Sequence, residues 1–267
     1  MIGGRTRVFA LLGEPVSHSL SPAMHNAAFR VLGLDAVYVP FPCDAAHVPS
    51  LMSALAAAGG GGNVTVPHKA AAARALARPS ERVSSLGACN TFWWEGGALS
   101  GDTTDVEGVL AALRRLEVDA DTWLVIGTGG SARAVVEAAR LSGARVAVSS
   151  RDPARAAEFL AWAGTRGVGA AAVEDAELLI NATPLGLKAE DMLPSRPEAT
   201  PRAVAALDLV YRRGGTAWVR AQRDAGRRAA DGREVLLAQG AAAFLRWFPK
   251  YDPPLDVMRA ALHAALD

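Results

Sequence analysis

The chain has 267 residues, enough for one large domain or two ordinary ones with buried cores. Half of it is apolar (51%) and the formal net charge is +1 at pH 7, which excludes the strongly basic surface typical of proteins that bind nucleic acids or anionic membranes. We see no signal peptide and no apolar run long enough to span a bilayer. Its two cysteines, Cys43 and Cys89, have no metal or redox spacing, so we expect a cytoplasmic protein with ordinary thiols.

Strand-like and helix-like segments alternate along the first half, which is typical of α/β architecture with parallel sheets. The predicted elements are strands at 7–13, 36–41 and 62–67, helices at 21–33 and 45–58, and a β-hairpin at 89–102. In the first helix we predict Ser21 as N-cap, Pro22 in the first turn and Gly33 as the stop. The hairpin is predicted to turn at Gly96–Gly97.

A helix pattern over 106–116 begins a second region with its own sheet. The predicted elements there are a strand–glycine turn–helix–strand unit at 122–151, strands at 178–182 and 205–210, and amphipathic helices at 236–248 and 254–266. We therefore predict two α/β domains. Residues 1–104 form the first and are joined by the C-terminal helices, 238–267, while residues 105–237 form a Rossmann-type doubly wound domain.

The glycine turn has the context of a dinucleotide-binding turn. The buried-strand pattern "WLVIG" runs directly into Gly127-Thr-Gly129-Gly130-Ser131-Ala132, and a helix opens there. The first glycine permits the tight turn, the second lets a pyrophosphate approach the backbone, and the small Ala132 lets helix and strand pack closely. The helix N-terminus adds N–H donors and a positive dipole end. A turn needed only for packing is the alternative.

The residues after the second nucleotide strand bear on the choice of cofactor. NAD-specific folds usually have Asp or Glu here, whereas this chain has Ser149, Ser150 and Arg151, followed by Arg155. Hydroxyl and guanidinium groups suit a 2′-phosphate, which favours NADP. Asp152 leaves NAD open as a secondary cofactor, because it could neutralise Arg151 or accept a ribose hydroxyl. An ordinary capping turn is the simplest alternative.

Polar side chains in the first half follow the predicted strands, where open α/β sheets bind ligands. They are Ser17, Ser19, Ser21, Asn63, Thr65, Lys69, Asn90 and Asp105. Only three of the 28 basic residues are lysines, and Lys69 follows the strand pattern "NVTVP" (63–67) after one intervening residue. A lysine can lose its proton when partly desolvated, unlike arginine, so an acid–base task would explain Lys69, and an ordinary solvated lysine is the alternative. The set suits a small polyhydroxylated carboxylate.

These segments resemble the shikimate dehydrogenase family, in the right order and over nearly the whole length. The matching segments are "HSLSPAMHN", "NVTVPHK", "GACNTF", "SGDTTD", "GTGGSARA", "NATPLG", "DLVY" and "LLAQGAAAF". The resemblance implies NADPH-dependent reduction of 3-dehydroshikimate to shikimate, a step of the shikimate pathway that leads to aromatic amino acids. It also implies two α/β domains with the site in the cleft between them, in a monomer or homodimer.

The resemblance also implies roles for individual residues. Lys69 and Asp105 would be the catalytic pair beside the carbonyl group that takes the hydride. The residues implied in substrate binding are Ser19, Ser21, Thr65, Asn90, Tyr211 and Gln239. The residues implied in cofactor binding are Gly127, Gly129, Gly130, Ser131, Ala132, Ser150, Arg151, Arg155 and Thr183. The chain departs from the family at Thr103, where Asn is usual, and at Ser150-Arg151-Asp152, where Asn-Arg-Thr is common.

Other functions remain open at this stage. An NAD-dependent quinate/shikimate dehydrogenase or an aminoshikimate dehydrogenase would use the same scaffold, and a dinucleotide-sensing module could keep the fold without the chemistry. We expect no metal site, because His18 and His25 have no acidic or cysteine partners at ligand spacing. His68 is predicted to be a loop histidine rather than the general base.

Overall fold

The computed structural model describes residues 2–266 of the chain. The first elements, in chain order, are β1 (Arg7–Gly13), α1 (Ser21–Val31), β2 (Ala36–Pro42), α2 (Val48–Ala57), β3 (Gly61–Val64), α3 (Lys69–Ala75), β4 (Arg78–Pro79), α4 (Glu81–Leu86), β5 (Thr91–Glu95) and β6 (Ala98–Asp102). The second group comprises α5 (Asp105–Leu116), β7 (Thr122–Ile126), α6 (Gly130–Ser142), β8 (Arg145–Ser149), α7 (Pro153–Gly164), β9 (Leu178–Asn181), β10 (Ala205–Asp208), α8 (Ala217–Asp224) and β11 (Arg228–Ala230). The last helices are α9 (Arg233–Trp247) and α10 (Leu255–Ala264).

The chain divides into two compact units. The first contains Met1–Thr104 together with Leu236–Asp267, and the second is Asp105–Val235. Each unit has its own β-sheet with helices around it, which confirms the predicted α/β fold class. Within residues 2–266, no helix combines the length and the apolar character needed to cross a membrane.

The sheet of the first unit is mixed, with strand order β2-β1-β3-β5-β6-β4. β1 pairs in parallel with both β2 and β3, whereas β5 runs antiparallel to β3 and β6. The β5–β6 hairpin turns at Gly96 and Gly97, whose φ angles of 58° and 78° are the left-handed values that a two-residue hairpin turn requires. Because β1 and β3 are parallel neighbours, the loops after them leave the same edge of the sheet.

An aromatic cluster on one face of this sheet holds the C-terminal helices in place. The ring of Phe9 in β1 lies 5.4 Å from Phe29 of α1, 4.9 Å from Trp247 of α9 and 5.4 Å from Phe248. All four side chains are buried. Burial of such large aromatic surfaces stabilises the packing of residues that are more than 200 positions apart, so the end of the chain belongs to the first unit.

The second sheet is entirely parallel, with strand order β11-β10-β9-β7-β8. β7 and β9 are buried along their full length, as expected for strands covered by helices on both faces. α6 follows β7 after only three residues, and its buried side chains include Ala132, Ala134 and Ala138. These small side chains let the helix lie close to the sheet, so the carboxyl ends of β7 and β9 form an open edge beside its N-terminus.

The structure corrects some of the predicted boundaries. Ser21 is the first residue of α1 rather than its N-cap; Leu20 occupies the cap position, and the hydroxyl of Ser19 accepts the Ser21 N–H at 3.2 Å. The strand predicted over 62–67 ends at Val64, because a turn closed by the His68 N–H and the Thr65 carbonyl (2.8 Å) follows. The short elements α3, α4, β4, α8 and β11 and the 12-residue helix α7 were not predicted.

Candidate active site

Lys69 is placed by the turn between β3 and α3. The helix begins at Lys69 itself, and the Lys69 carbonyl accepts the N–H of Cys89 at 2.9 Å. Lys69 is 8% exposed, whereas Lys188 and Lys250 are exposed on the surface. The Nε2 of neighbouring His68 lies 2.8 Å from the Cys43 carbonyl, which can only accept, so Nε2 carries the proton and the ring is engaged in the fold.

Asn90 connects three segments that are far apart in the sequence. Its Oδ1 accepts the N–H of Thr104 at 2.8 Å and the hydroxyl of Thr91 at 3.0 Å. Its Nδ2 donates to Thr104 Oγ1 at 3.1 Å and to Gln239 Oε1 at 3.3 Å. The Gln239 Nε2 donates in turn to the Leu236 carbonyl at 2.9 Å. The structure therefore brings together Asn90 and Gln239, two of the predicted substrate-binding residues.

A buried layer of side chains supports Asn90. The Nδ2 of Asn63 donates to the Asn90 carbonyl at 3.0 Å, and its Oδ1 accepts the hydroxyl of Tyr38 at 2.8 Å. The Tyr38 ring stacks on His25, with 4.6 Å between ring centroids. This layer was not predicted, although the polar Asn63 inside an apolar strand pattern was a signal that it needs buried partners.

The remaining first-unit candidates lie at the edge where β1 and β3 end. Ser19 and Ser21 follow β1, and Thr65 follows β3, with its N–H bonded to the Leu12 carbonyl at 2.9 Å. Thr65 packs so closely on Gly13 that a Cβ at Gly13 would lie 2.4 Å from the Thr65 methyl carbon. These three side chains thus share the sheet edge from which the loop to Lys69 also leaves.

The glycine turn of the second unit has the predicted strand–turn–helix order. Gly127 has φ +109°, and its N–H donates to the Ser149 carbonyl at 2.8 Å. A Cβ at Gly127 would lie 3.0 Å from the Thr183 methyl carbon, so both the backbone angle and the available space favour glycine. Gly129 occupies the N-cap of α6, and Ala132 is fully buried against the sheet.

Thr183 belongs to a buried network that links two loops at this edge. Its N–H and hydroxyl both donate to Asn181 Oδ1, at 3.0 and 2.6 Å. The Asn181 Nδ2 donates to Asp208 Oδ1 at 2.8 Å, and the Thr216 hydroxyl donates to Asp208 Oδ2 at 2.7 Å. Tyr211 lies in the loop between Asp208 and Thr216 and is partly buried. The network therefore fixes the loops that carry Thr183 and Tyr211.

Asp208 is the carboxyl group of this network, and its pKa is raised. Burial raises its pKa to about 6, although its hydrogen bonds from Thr216, Val210 and Asn181 act in the opposite direction. The nearby carboxylate of Asp231 adds to the increase. The sequence analysis did not single out Asn181, Asp208 or Thr216. A polar residue at the end of each of two buried strands was the available signal.

For the residues after β8, the sequence left open an ordinary capping turn or a site for the 2′-phosphate. Asp152 is the N-cap of α7, where its Oδ1 accepts the N–H groups of Ala154 at 3.0 Å and Arg155 at 3.3 Å. Its other oxygen lies 3.6 Å from the Arg155 Nε. Asp152 is therefore engaged with Arg155 rather than with Arg151, contrary to the idea that it neutralises Arg151. Arg151 is exposed and makes no ion pair within residues 2–266, and Ser150 accepts the Asp152 N–H at 3.3 Å.

The predicted catalytic pair is divided between the two units. Lys69 lies in the first unit, while Asp105 is the first residue of α5 and of the second unit. In the described part of the chain, no group of three or more histidine, cysteine or carboxylate side chains is arranged to hold a metal ion.

Comparisons with known proteins bear on this arrangement. Residues 11–92 match the model of the shikimate dehydrogenase substrate binding domain. A shikimate dehydrogenase (NADP(+)) of Halobacterium salinarum is 40% identical over 268 residues, covering 97% of this chain and 99% of the relative. The shikimate 5-dehydrogenase of Thermus thermophilus, solved in complex with NADP(H) and shikimate, superposes with a TM-score of 0.87 at 35% identity and full coverage of both chains.

The similarity extends to a relative solved with a different nicotinamide cofactor. The shikimate 5-dehydrogenase of Listeria monocytogenes, crystallised with shikimate and NAD, has a TM-score of 0.83 at 29% identity, covering 98% of each chain. The likeness thus includes both units and every segment on which the sequence resemblance was based, and that resemblance is confirmed. The chain belongs to the shikimate dehydrogenase family.

Proposed function

We propose that this protein catalyses the reversible, NADPH-dependent reduction of 3-dehydroshikimate to shikimate. Full-length membership of the family supports the reaction. The single observation that carries it is the polar cluster of the first unit, where Asn90 joins Gln239 to the segment that leads into Asp105. A module that only senses a dinucleotide has no need of this cluster, because the cluster belongs to the unit without the glycine turn.

Reduction of a ketone requires a hydride on carbon and a proton on oxygen, and bound NADPH supplies the hydride. We assign the proton to the ammonium of Lys69, which hydrogen-bonds the carbonyl oxygen and stabilises the charge that develops on it. Asp105 orients the ammonium and helps to relay the proton. Two hydrogen bonds connect the segments that carry the pair: Cys89 N–H to the Lys69 carbonyl, and Thr104 N–H to Asn90 Oδ1.

The substrate roles follow from the chemistry of the side chains at the edge of the first sheet. Ser19 and Ser21 have hydroxyl groups that suit the substrate carboxylate, and we place Tyr211 near the same group. Thr65, Asn90 and Gln239 offer hydroxyl and amide groups to the ring hydroxyls. A site that hydrogen-bonds each hydroxyl rejects analogues that lack one, because its own polar groups are then left unpaired.

The residues of the second unit fit a dinucleotide. Gly127 permits the tight turn against Thr183, and Gly129, at the N-cap of α6 with open space around it, leaves no side chain where a pyrophosphate must approach the backbone. Thr183 lies against the turn. We assign the 2′-phosphate to Ser150, Arg151 and Arg155, because exposed guanidinium groups bind phosphate oxygens through paired N–H donors. NAD, found with the Listeria relative, is the secondary cofactor to test.

The test is oxidation of shikimate by purified protein with NADP⁺ and then with NAD⁺, followed by nicotinamide absorbance, with quinate as the alternative substrate. We expect Lys69→Ala to lower turnover about a hundred- to ten-thousand-fold while shikimate binding changes less than about tenfold, since positioned acid–base groups contribute that much. Lys188→Ala removes an exposed lysine and is the matched control. Near-normal turnover by Lys69→Ala would exclude the proton-donor role, and no turnover by the parent protein with either cofactor would exclude the reaction.

A further inference from the structure

Asp102, the last residue of β6, is a buried carboxylate with an unusual number of partners. Its Oδ1 accepts the Ser80 hydroxyl at 2.7 Å and the N–H of Thr103 at 2.8 Å. Its Oδ2 accepts both Nη2 and Nε of Arg246, at 2.7 and 3.2 Å. The Asp102 side chain is 7% exposed and that of Arg246 is 44% exposed. One carboxylate therefore ties the start of α4, the turn at 103 and helix α9 to the end of one strand.

Helix α9 reaches the same strand ends through two residues on one of its faces. Gln239 and Arg246 are seven positions apart, which is about two helical turns, so their side chains leave the helix in nearly the same direction. Gln239 contacts Asn90, and Arg246 contacts Asp102. Asn90 and Asp102 are themselves joined, because the Asn90 N–H donates to the Asp102 carbonyl at 3.1 Å. The helix is thus fixed at two points over the segment that ends in Asp105.

This arrangement also accounts for the geometry of the turn at Thr103. The Thr103 N–H is bonded by the Asp102 carboxylate, and the Thr103 carbonyl accepts Nη1 of Arg82 at 3.2 Å. Both backbone groups of Thr103 therefore have partners that do not depend on its own side chain. The turn is determined by residue 102, which makes Thr at position 103 compatible with an ordered lead into Thr104 and Asp105.

We propose that Asp102 and Arg246 are positioning residues for the reaction. Their ion pair holds the 103–105 turn and the Gln239 amide in the geometry that the chemistry needs, without touching substrate or cofactor. The inference rests on the proposed function, because the 103–105 turn matters for catalysis only if Asp105 takes part in the reaction. Small displacements of reacting groups have large effects on rate. Loss of Arg246 also leaves the Asp102 carboxylate, 7% exposed, without its ion-pair partner, so stability should fall as well. Turnover is therefore measured at a temperature at which each variant is fully folded.

The first test is kinetic and uses Arg246→Met, which keeps the apolar stem and removes the charge. We expect kcat with shikimate to fall about tenfold, because misplacement of the reacting groups by about 1 Å costs up to about a hundredfold. The KM for NADP⁺ should stay unchanged, since its residues lie in the other unit. Arg246→Lys should restore most of the rate. Asp102→Asn should match Arg246→Met, and the double variant should be no slower than either single one. Arg30→Met, on the exposed side of α1, is the matched control.

The second test does not depend on turnover. The Thr103 and Thr104 N–H groups are donors to Asp102 and Asn90, so amide hydrogen exchange in the 98–106 segment should speed up in Arg246→Met and not in Arg30→Met. Unchanged exchange, or rate losses that add in the double variant, would overturn the inference. An inactive parent protein would refute the proposed function instead, and the exchange result would still show whether the pair orders the turn.

Discussion

His25 predicts how the stability of the first unit depends on pH. The imidazole is 0% exposed on α1, stacked on Tyr38, with the Trp247 ring 5.0 Å away. Neither ring nitrogen has a hydrogen-bond partner among the described residues. Because burial penalises the charged form, the pKa of His25 is lowered from 6.5 to about 3. The folded protein therefore keeps this ring neutral where an unfolded chain would protonate it.

The sign and size of the effect follow from linkage. The folded-state pKa lies below the unfolded value, so stability is fully present above about pH 6.5 and is lost as the pH falls and the unfolded chain takes up the proton. Each pH unit below the unfolded-state pKa costs about 1.4 kcal/mol. Between about pH 7.5 and about pH 4.5 the free energy of unfolding therefore falls by roughly 2–3 kcal/mol.

The assay is urea denaturation of the parent protein and of His25→Leu at both pH values, followed by tryptophan fluorescence. The variant loses the ring packing and is less stable at neutral pH, but its acid-induced loss of stability should be smaller than that of the parent by roughly 2–3 kcal/mol. His263→Leu removes an exposed imidazole and supplies the reference. Asp208 is present in all three proteins, so its contribution to the pH dependence of stability cancels in the comparison. Equal acid-induced losses in the parent and in His25→Leu would refute the reasoning.

Three further predictions concern the second unit. Arg151→Ala should raise the KM for NADPH about tenfold or more over that for NADH, because one guanidinium of the 2′-phosphate site is lost, and equal increases would contradict the assignment. Gly127→Ala should raise the KM for NADPH, since its Cβ would lie 3.0 Å from Thr183, whereas Gly167→Ala, also at positive φ but with open space around it, should affect only thermal stability. Asp208→Asn should lower the free energy of unfolding by about 1–3 kcal/mol by leaving a buried donor unpaired. It should also abolish the loss of stability expected as the pH rises from 3.8 to about 6, where the folded parent retains the Asp208 proton, as pH-dependent urea denaturation would show.

Much of the fold could be predicted from local patterns. Apolar runs bounded by glycine, proline and polar residues located β1, β7 and the β5–β6 hairpin, because buried strands and left-handed turns restrict composition strongly. The end of a helix is less constrained. Ser21 has the side chain of an N-cap, yet the backbone turns into α1 one residue earlier and Ser19 supplies the hydroxyl instead.

The identity of the site residues could be predicted from the sequence, but the hydrogen bonds between them could not. The family resemblance identified Asn90 and Gln239, but their hydrogen bond joins residues 149 positions apart, and that of Asp102 and Arg246 spans 144. Such pairs depend on the final rotation of α9 against the sheet, which is determined by packing of its aromatic face. No local pattern contains that rotation, so nothing in the sequence distinguishes Asp102 from any other acidic residue at the end of a strand.

The internal bonding of Asn90 constrains how a substrate can enter. Both amide atoms already have partners within the first unit, and the bond from Nδ2 to Gln239 Oε1, at 3.3 Å, is longer than those to Thr104 Oγ1 and the Thr104 N–H, at 3.1 and 2.8 Å. A ring hydroxyl can both donate and accept, so it can replace this long bond and satisfy both amides. The bond from the Thr104 N–H to Asn90 Oδ1 then remains, and the turn that leads to Asp105 stays ordered while the substrate binds. In the proposed reaction, the same amide thus maintains the fold on one side and recognises the substrate on the other.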